Sequence, residues 1–112
     1  MKNILLLIIG SFLIAQDVPK SELENVIVLP FTKKREIFKY MKTVVAPGLG
    51  VKCNFCHDPN DYASDSKKEK MIARDMMLMV QGVNKNTMKK IGHDDISCWI
   101  CHRGNTEPEH YK

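Results

Sequence analysis

A chain of 112 residues suits one small domain and has little apolar surface to bury, so something beyond a large hydrophobic core must help hold it together. The formal charge of +4 comes from dispersed lysines, among them Lys39, Lys42, Lys52, Lys67, Lys68, Lys70, Lys85, Lys89 and Lys90. No basic stripe interleaved with aromatics forms a nucleic-acid motif, which leaves solvated helix faces or steering toward an acidic protein partner.

In chain order, Lys2 precedes an apolar run from Ile4 to Ala15, too short for a bilayer span of about 20 residues but right for a signal h-region. Residues 1–15 are therefore expected to be an export signal cleaved after Ala15, with an uncleaved membrane anchor as the alternative. The compartment is then periplasmic or otherwise extracytoplasmic. Residues 16–31 read as a linker, polar to Asn25 and then a short extended piece, Val26 to Pro30. The domain occupies residues 32–112. Thr32 is a candidate N-cap for a helix with apolar positions Ile37, Met41, Val44 and Val45. The stretch Ala46 to Gly50 is expected to break it, because Pro47 biases Ala46 away from the helical region and two glycines permit a reversal. A loop from Asp58 to Asp65 leads to a capping box, Ser66 with Glu69. The helix it opens has the stripe Ile72, Met76, Met79 and Val83, widened by Ala73, Met77 and Val80, and ends near Gly82 or Asn84. An irregular connector then leads to Cys98, and a polar tail closes a mostly α domain with little or no sheet.

All four cysteines fall in two copies of one pattern, Cys-x-x-Cys-His: Cys53, Cys56 and His57, then Cys98, Cys101 and His102. This is the attachment signature of c-type haem, in which the thiols add to the porphyrin vinyl groups and the next residue coordinates iron. Its spacing has a geometric cause. On a helical turn, cysteines three positions apart project to one side, and the following imidazole turns under the ring centre. A structural zinc site would set its two knuckles closer and has no use for a histidine directly after each. A disulfide across a two-residue gap closes a small strained ring, and no βαβ pattern suggests a redox dithiol. Two haems are thus the expected cofactors, and two large apolar macrocycles would supply the missing core.

Each iron needs a sixth ligand or an open site, and methionine and histidine are the usual candidates. Met41 stands on the helix before the Pro-Gly turn, placed to fold back over the haem at His57. For the haem at His102 the long helix offers Met76, Met77 and Met79, although a methionine stripe at helical spacing is also ordinary core packing. His93 lies too close to Cys98 to cross that haem, and His110 sits in the polar tail; both read as surface residues.

The stretches "LGVKCNFCH", "NDYASD", "ARDMMLMVQGVN" and "CHRG" followed by proline resemble the cytochrome c subunit of photosynthetic reaction centres, over Met41 to about Pro108. That resemblance implies haem units built from a Met-bearing helix, a turn and a Cys-x-x-Cys-His helix. It implies Met41 as the ligand of the first haem and Met76 as that of the second, with Met79 as backup and Met77 pointing away from the stripe. The family's subunit carries four haems in two pairs, whereas this chain has cysteines for one pair, and Lys90 stands where the first pair supplies a histidine to a further haem. A small dihaem cytochrome relaying single electrons follows, iron-ligated by His57 with Met41 and by His102 with Met76. It needs a redox donor and acceptor, and no other catalytic constellation accompanies the motifs. Two alternatives stand beside it: a haem subunit of a larger redox complex or self-assembly, and a sensor or peroxidase with one open iron.

Overall fold

The computed structural model describes residues 22–110. The leader expected over residues 1–15 lies outside the described residues, as do residues 16–21 of the expected linker and residues 111–112. Two helical runs, each widened by a π turn, carry the fold. The first, α1, spans Lys34–Tyr40, passes through a π turn at Met41–Val45 and continues as α2, Ala46–Leu49. Its N-cap is Lys33, extended at φ −113 and ψ 139, one residue beyond Thr32.

The expected break at Ala46 is absent: this residue is helical at φ −59 and ψ −49 although proline follows it. A proline ring crowds the carbonyl four residues back and offers no N–H. In the π turn the bonds reach one residue further, the Ala46 N–H donating to the Met41 carbonyl, and the wider turn admits the ring. Thr43 also donates its hydroxyl to the Lys39 carbonyl at 2.8 Å, a bond that bends helices. The run stops at Gly50, left-handed at φ 66 and ψ 30.

The second run starts one residue later than the sequence suggests. The N-cap of α3, Lys68–Val83, is Lys67, not Ser66, and it makes no side-chain cap bond. Beyond Val83 the helix continues through a second π turn, Asn84–Met88, into α4, Lys89–Ile91, and ends at Gly92 with φ 73. No connector interrupts it near Gly82 or Asn84. The segment holds no proline and is rich in helix formers such as Lys85, Met88, Lys89 and Lys90, so the nucleated helix propagates to the first glycine suited to a C-cap.

Residues 22–31 lie along α3. Arg74 donates to the Asn25 carbonyl at 2.9 Å and Gln81 to the Val28 carbonyl at 3.1 Å, while Phe31 meets the Tyr40 ring with centroids 5.4 Å apart. At the other end, α5, Cys98–His102, packs on α2. Gly48 permits the approach: a Cβ there would lie 2.9 Å from Cys98 Cβ and 3.3 Å from the Trp99 nitrogen. The Gly104 N–H donates to the Gly48 carbonyl at 2.9 Å, and a side chain at Gly50 would collide with the Gly104 carbonyl. The end of α2 and the second Cys-x-x-Cys-His segment with its following turn are therefore clasped backbone to backbone.

Among the described residues there is no strand, only an isolated bridge between Asp58 and Asp61, and the domain is mostly α as expected. Val45 is the one apolar side chain among them that is buried; Lys70, Arg74 and His102 are the buried polar ones. Ile72, Met79 and Ile100 are more than half exposed.

Candidate haem sites

The first motif begins as a 3-10 turn at Cys53–Phe55, and the His57 N–H closes it on the Cys53 carbonyl at 3.0 Å. The second motif is the whole of α5. Both histidines are held alike. His57 Nδ1 lies 2.9 Å from the Tyr62 carbonyl and His102 Nδ1 lies 2.9 Å from the Asn105 carbonyl. A carbonyl oxygen only accepts, so Nδ1 carries the proton in each ring and Nε2 keeps its lone pair for a metal. His57 also stacks at a tilt on Tyr62, centroids 5.2 Å apart.

These two carbonyls are functional groups that the sequence reading missed. Their only sequence signal is the turn chemistry after each motif, "DPND" and "RGN". Arg103 takes the left-handed conformation at φ 50 and Gly104 follows at φ 82, which turns Asn105 back over His102. A third missed residue is Asn84. Its amide donates to the Ile96 carbonyl at 2.9 Å and accepts from the Ile96 N–H at 2.8 Å, tying the approach to Cys98 onto the long helix.

A cavity of about 370 Å³ lies between α3 and α5. Cys98, Cys101 and His102 stand on one side of it, and Ile72, Met76, Met77, Met79, Val80 and Val83 wall the other. Met77 lines this cavity together with Met76 and Met79, on a broad apolar face of α3. Phe55 and Cys56 of the first motif reach the same cavity, so the two motifs share a wall. A second, open groove runs beside the first motif, lined by Val51, Lys52, Asn54, Phe55 and the start of α3. Met41 is half-buried on the π turn, and neither it nor His57 lines either space. His93 and His110 are exposed and outside both.

Burial pushes the thiols of Cys56 and Cys98 up from the ordinary cysteine range; Glu69 adds to this at Cys56, and nearby Lys67 works against it. All four cysteines are free thiols, and among the described residues no three His, Cys, Asp or Glu side chains gather as a metal cluster. The donor set instead fits haem at the second motif. It offers two thiols and an imidazole with its Nε2 lone pair free, facing methionine-bearing apolar walls across a cavity within the usual range of cofactor sites, ~300–1,000 Å³.

A family model for the photosynthetic reaction centre cytochrome C subunit matches residues 14–111. The chain belongs to this family. Among curated proteins it is similar to the photosynthetic reaction center cytochrome c subunit of Rubrivivax gelatinosus, 37% identical over 89 residues, which are 77% of this chain and 24% of the relative. The subunit of Thermochromatium tepidum is 32% identical over 91 residues, covering 78% and 22% of the two chains. Cytochrome c-554 of Chloroflexus aurantiacus is 35% identical over 81 residues, covering 70% and 20%. The chain thus spans between a fifth and a quarter of these relatives' length. Membership of this family and the repeated motif point to the same cofactor, c-type haem. Among its described residues no helix is long and apolar enough to cross a membrane.

Proposed function

We propose that the chain is an extracytoplasmic dihaem c-type cytochrome that relays single electrons between redox partners and has no substrate chemistry of its own. The observation that carries this reading is the repetition: two Cys-x-x-Cys-His segments, each with its histidine Nδ1 held 2.9 Å from a backbone carbonyl. Cys53 and Cys56 would hold the first haem and Cys98 and Cys101 the second. When bound, c-type haem supplies a one-electron iron couple.

The chain's part is to fix the ligands. His57 and His102 are oriented through Nδ1, which also raises the basicity of Nε2. Met41, on the π turn before the first motif, would join His57 in holding the first iron. Met76, which lines the same cavity as His102, would do so for the second. Two strong ligands leave no open position, which suits outer-sphere transfer and argues against a peroxidase or gas sensor. Residues 32–112 form the haem domain, residues 16–31 precede it, and residues 1–15 act as export signal or anchor. The positive charge favours an acidic redox partner.

A second setting is favoured by a specific observation. Two of the relatives above are named as subunits of a reaction center and are four to five times longer than the region matched. The chain would then work as one haem pair within a larger redox complex. A pyridine haemochrome assay combined with intact mass tests the common core of both settings. Two haems retained under denaturing conditions are expected, and one or none overturns the reading.

A further inference from the structure

We propose that Lys70 is a positioning residue for His57, acting through the Tyr62 carbonyl. This rests on the reading of His57 as a haem ligand. The Lys70 side chain is only 11% exposed, and a buried ammonium is tolerated only where oxygens replace its water. Four do so. Nζ lies 2.7 Å from the carbonyls of Ala63 and Ser64, 3.2 Å from that of Tyr62 and 3.1 Å from Asp65 Oδ1. Three successive carbonyls of an irregular loop are thereby gathered on one cation. The first of them is the oxygen that accepts the His57 Nδ1 proton.

The ammonium is itself anchored. Asp65 is paired with Arg74 at 3.0 Å and accepts from Asn25 at 2.9 Å, and the Asn25 amide also bonds the Ala63 carbonyl at 2.6 Å. Asn25 takes the left-handed conformation, φ 57, which points its carbonyl at Arg74, 2.9 Å away. A chain of contacts therefore runs from the N-terminal segment through Asp65 and Lys70 to the Tyr62 carbonyl and the imidazole. The second motif is built differently: its acceptor carbonyl, Asn105, is placed by a tight turn in which the Asn105 N–H bonds back to the His102 carbonyl at 2.9 Å.

Two effects on the first site follow, and they share a sign. An ammonium on the Tyr62 carbonyl draws electron density from it, so it accepts the Nδ1 proton less strongly and the imidazole donates less to a metal. Lys70 and Arg74 against Asp65 also leave one net positive charge in the cluster. Both disfavour the more positive, oxidised state of a metal at His57 and raise its potential. The ring's angle is fixed by the same contacts.

The test uses the holoprotein with both haems counted by mass, and two substitutions, Lys70→Gln and Lys70→Arg. Paramagnetic NMR of the oxidised protein reads each imidazole's orientation in the spread of haem-methyl shifts, and a redox titration reads each potential. The expected result is an altered methyl pattern for the His57 haem in both variants, with the His102 pattern unmoved. A lowered potential of the His57 haem is expected in Lys70→Gln alone, since arginine keeps the charge but cannot aim three protons tetrahedrally at residues 62–64. An unchanged His57 pattern in both variants overturns the proposal. So does an equal change at both haems, which would mean a general loosening of the fold. If Lys70→Gln does not accumulate with two haems, the methyl pattern of Lys70→Arg decides alone. Failure of the underlying reading looks different: His57→Ala would leave both axial signatures intact.

Discussion

At the scale of single residues, the two histidines are equivalent in sequence and in their 2.9 Å bonds to carbonyls, yet His102 is buried and His57 is not. Met76, Met77 and Met79 are the reverse case, different in sequence position but together around one cavity. Met76 and Met79 lie less than one helical turn apart and ~60° apart around the axis. Met79 is 51% exposed, whereas Met76 is better covered. Family position and burial both favour Met76 as the sulfur ligand. Met76→Ala is expected to abolish one of two sulfur-to-iron charge-transfer bands at the red edge of the oxidised spectrum and to lower that haem's potential. Met79→Ala should leave both bands and cost only packing, ~1–2 kcal/mol, below the 2–5 of a buried methionine. Loss of the band in Met79→Ala instead would assign the ligand to Met79.

At the scale of elements, the sequence displayed its attachment motifs and its helices but not where the helices end. Cys-x-x-Cys-His is legible because its chemistry is local, and the stripe of α3 because burial imposes a period. The π turns are not legible. They depend on whether a helix can absorb Pro47, or pass Asn84, by widening one turn, and a proline read by its usual rule gives a stop. Equally hidden are the carbonyls of Tyr62 and Asn105, since every residue has a carbonyl and only the folded turn aims one. The glycines sort by what surrounds them. Gly48 touches Cys98 and Trp99, whereas a Cβ at Gly82 would meet nothing within 4 Å. Gly48→Ala should therefore destabilise by ~1–3 kcal/mol, the usual cost of overpacking, and disturb the spectrum of the second haem, because α5 must move. Gly82→Ala should stabilise by ~0.5–1 kcal/mol through helix propensity alone. Denaturant melts of the two holoproteins check both signs.

At the scale of the molecule, one buried apolar side chain among the described residues is too little to hold 89 residues together, so the polar joints matter. The main one is Asp65, where Asn25, Arg74 and Lys70 join the N-terminal segment, α3 and the loop after the first motif. Their hydrogen bonds, with Asn25 first and the two cations after it, hold the Asp65 carboxyl well below the usual carboxylate range. A carboxylate with a depressed folded-state pKa contributes stability that is fully present above its unfolded value. That contribution is lost as pH falls from there through the folded value. The unmodified holoprotein should accordingly hold its stability near neutral pH and lose part of it once the pH drops below the ordinary carboxylate range. Asp65→Asn removes the charge at every pH. It should be less stable at pH 7, lose less on acidification, and approach the unmodified protein at the acid end. Because the group is solvent-accessible, salt should shrink the difference at pH 7. Urea midpoints across a pH series, at low and high ionic strength, measure this, and parallel acid limbs for the two proteins would remove Asp65 from the account of how the N-terminal segment is held.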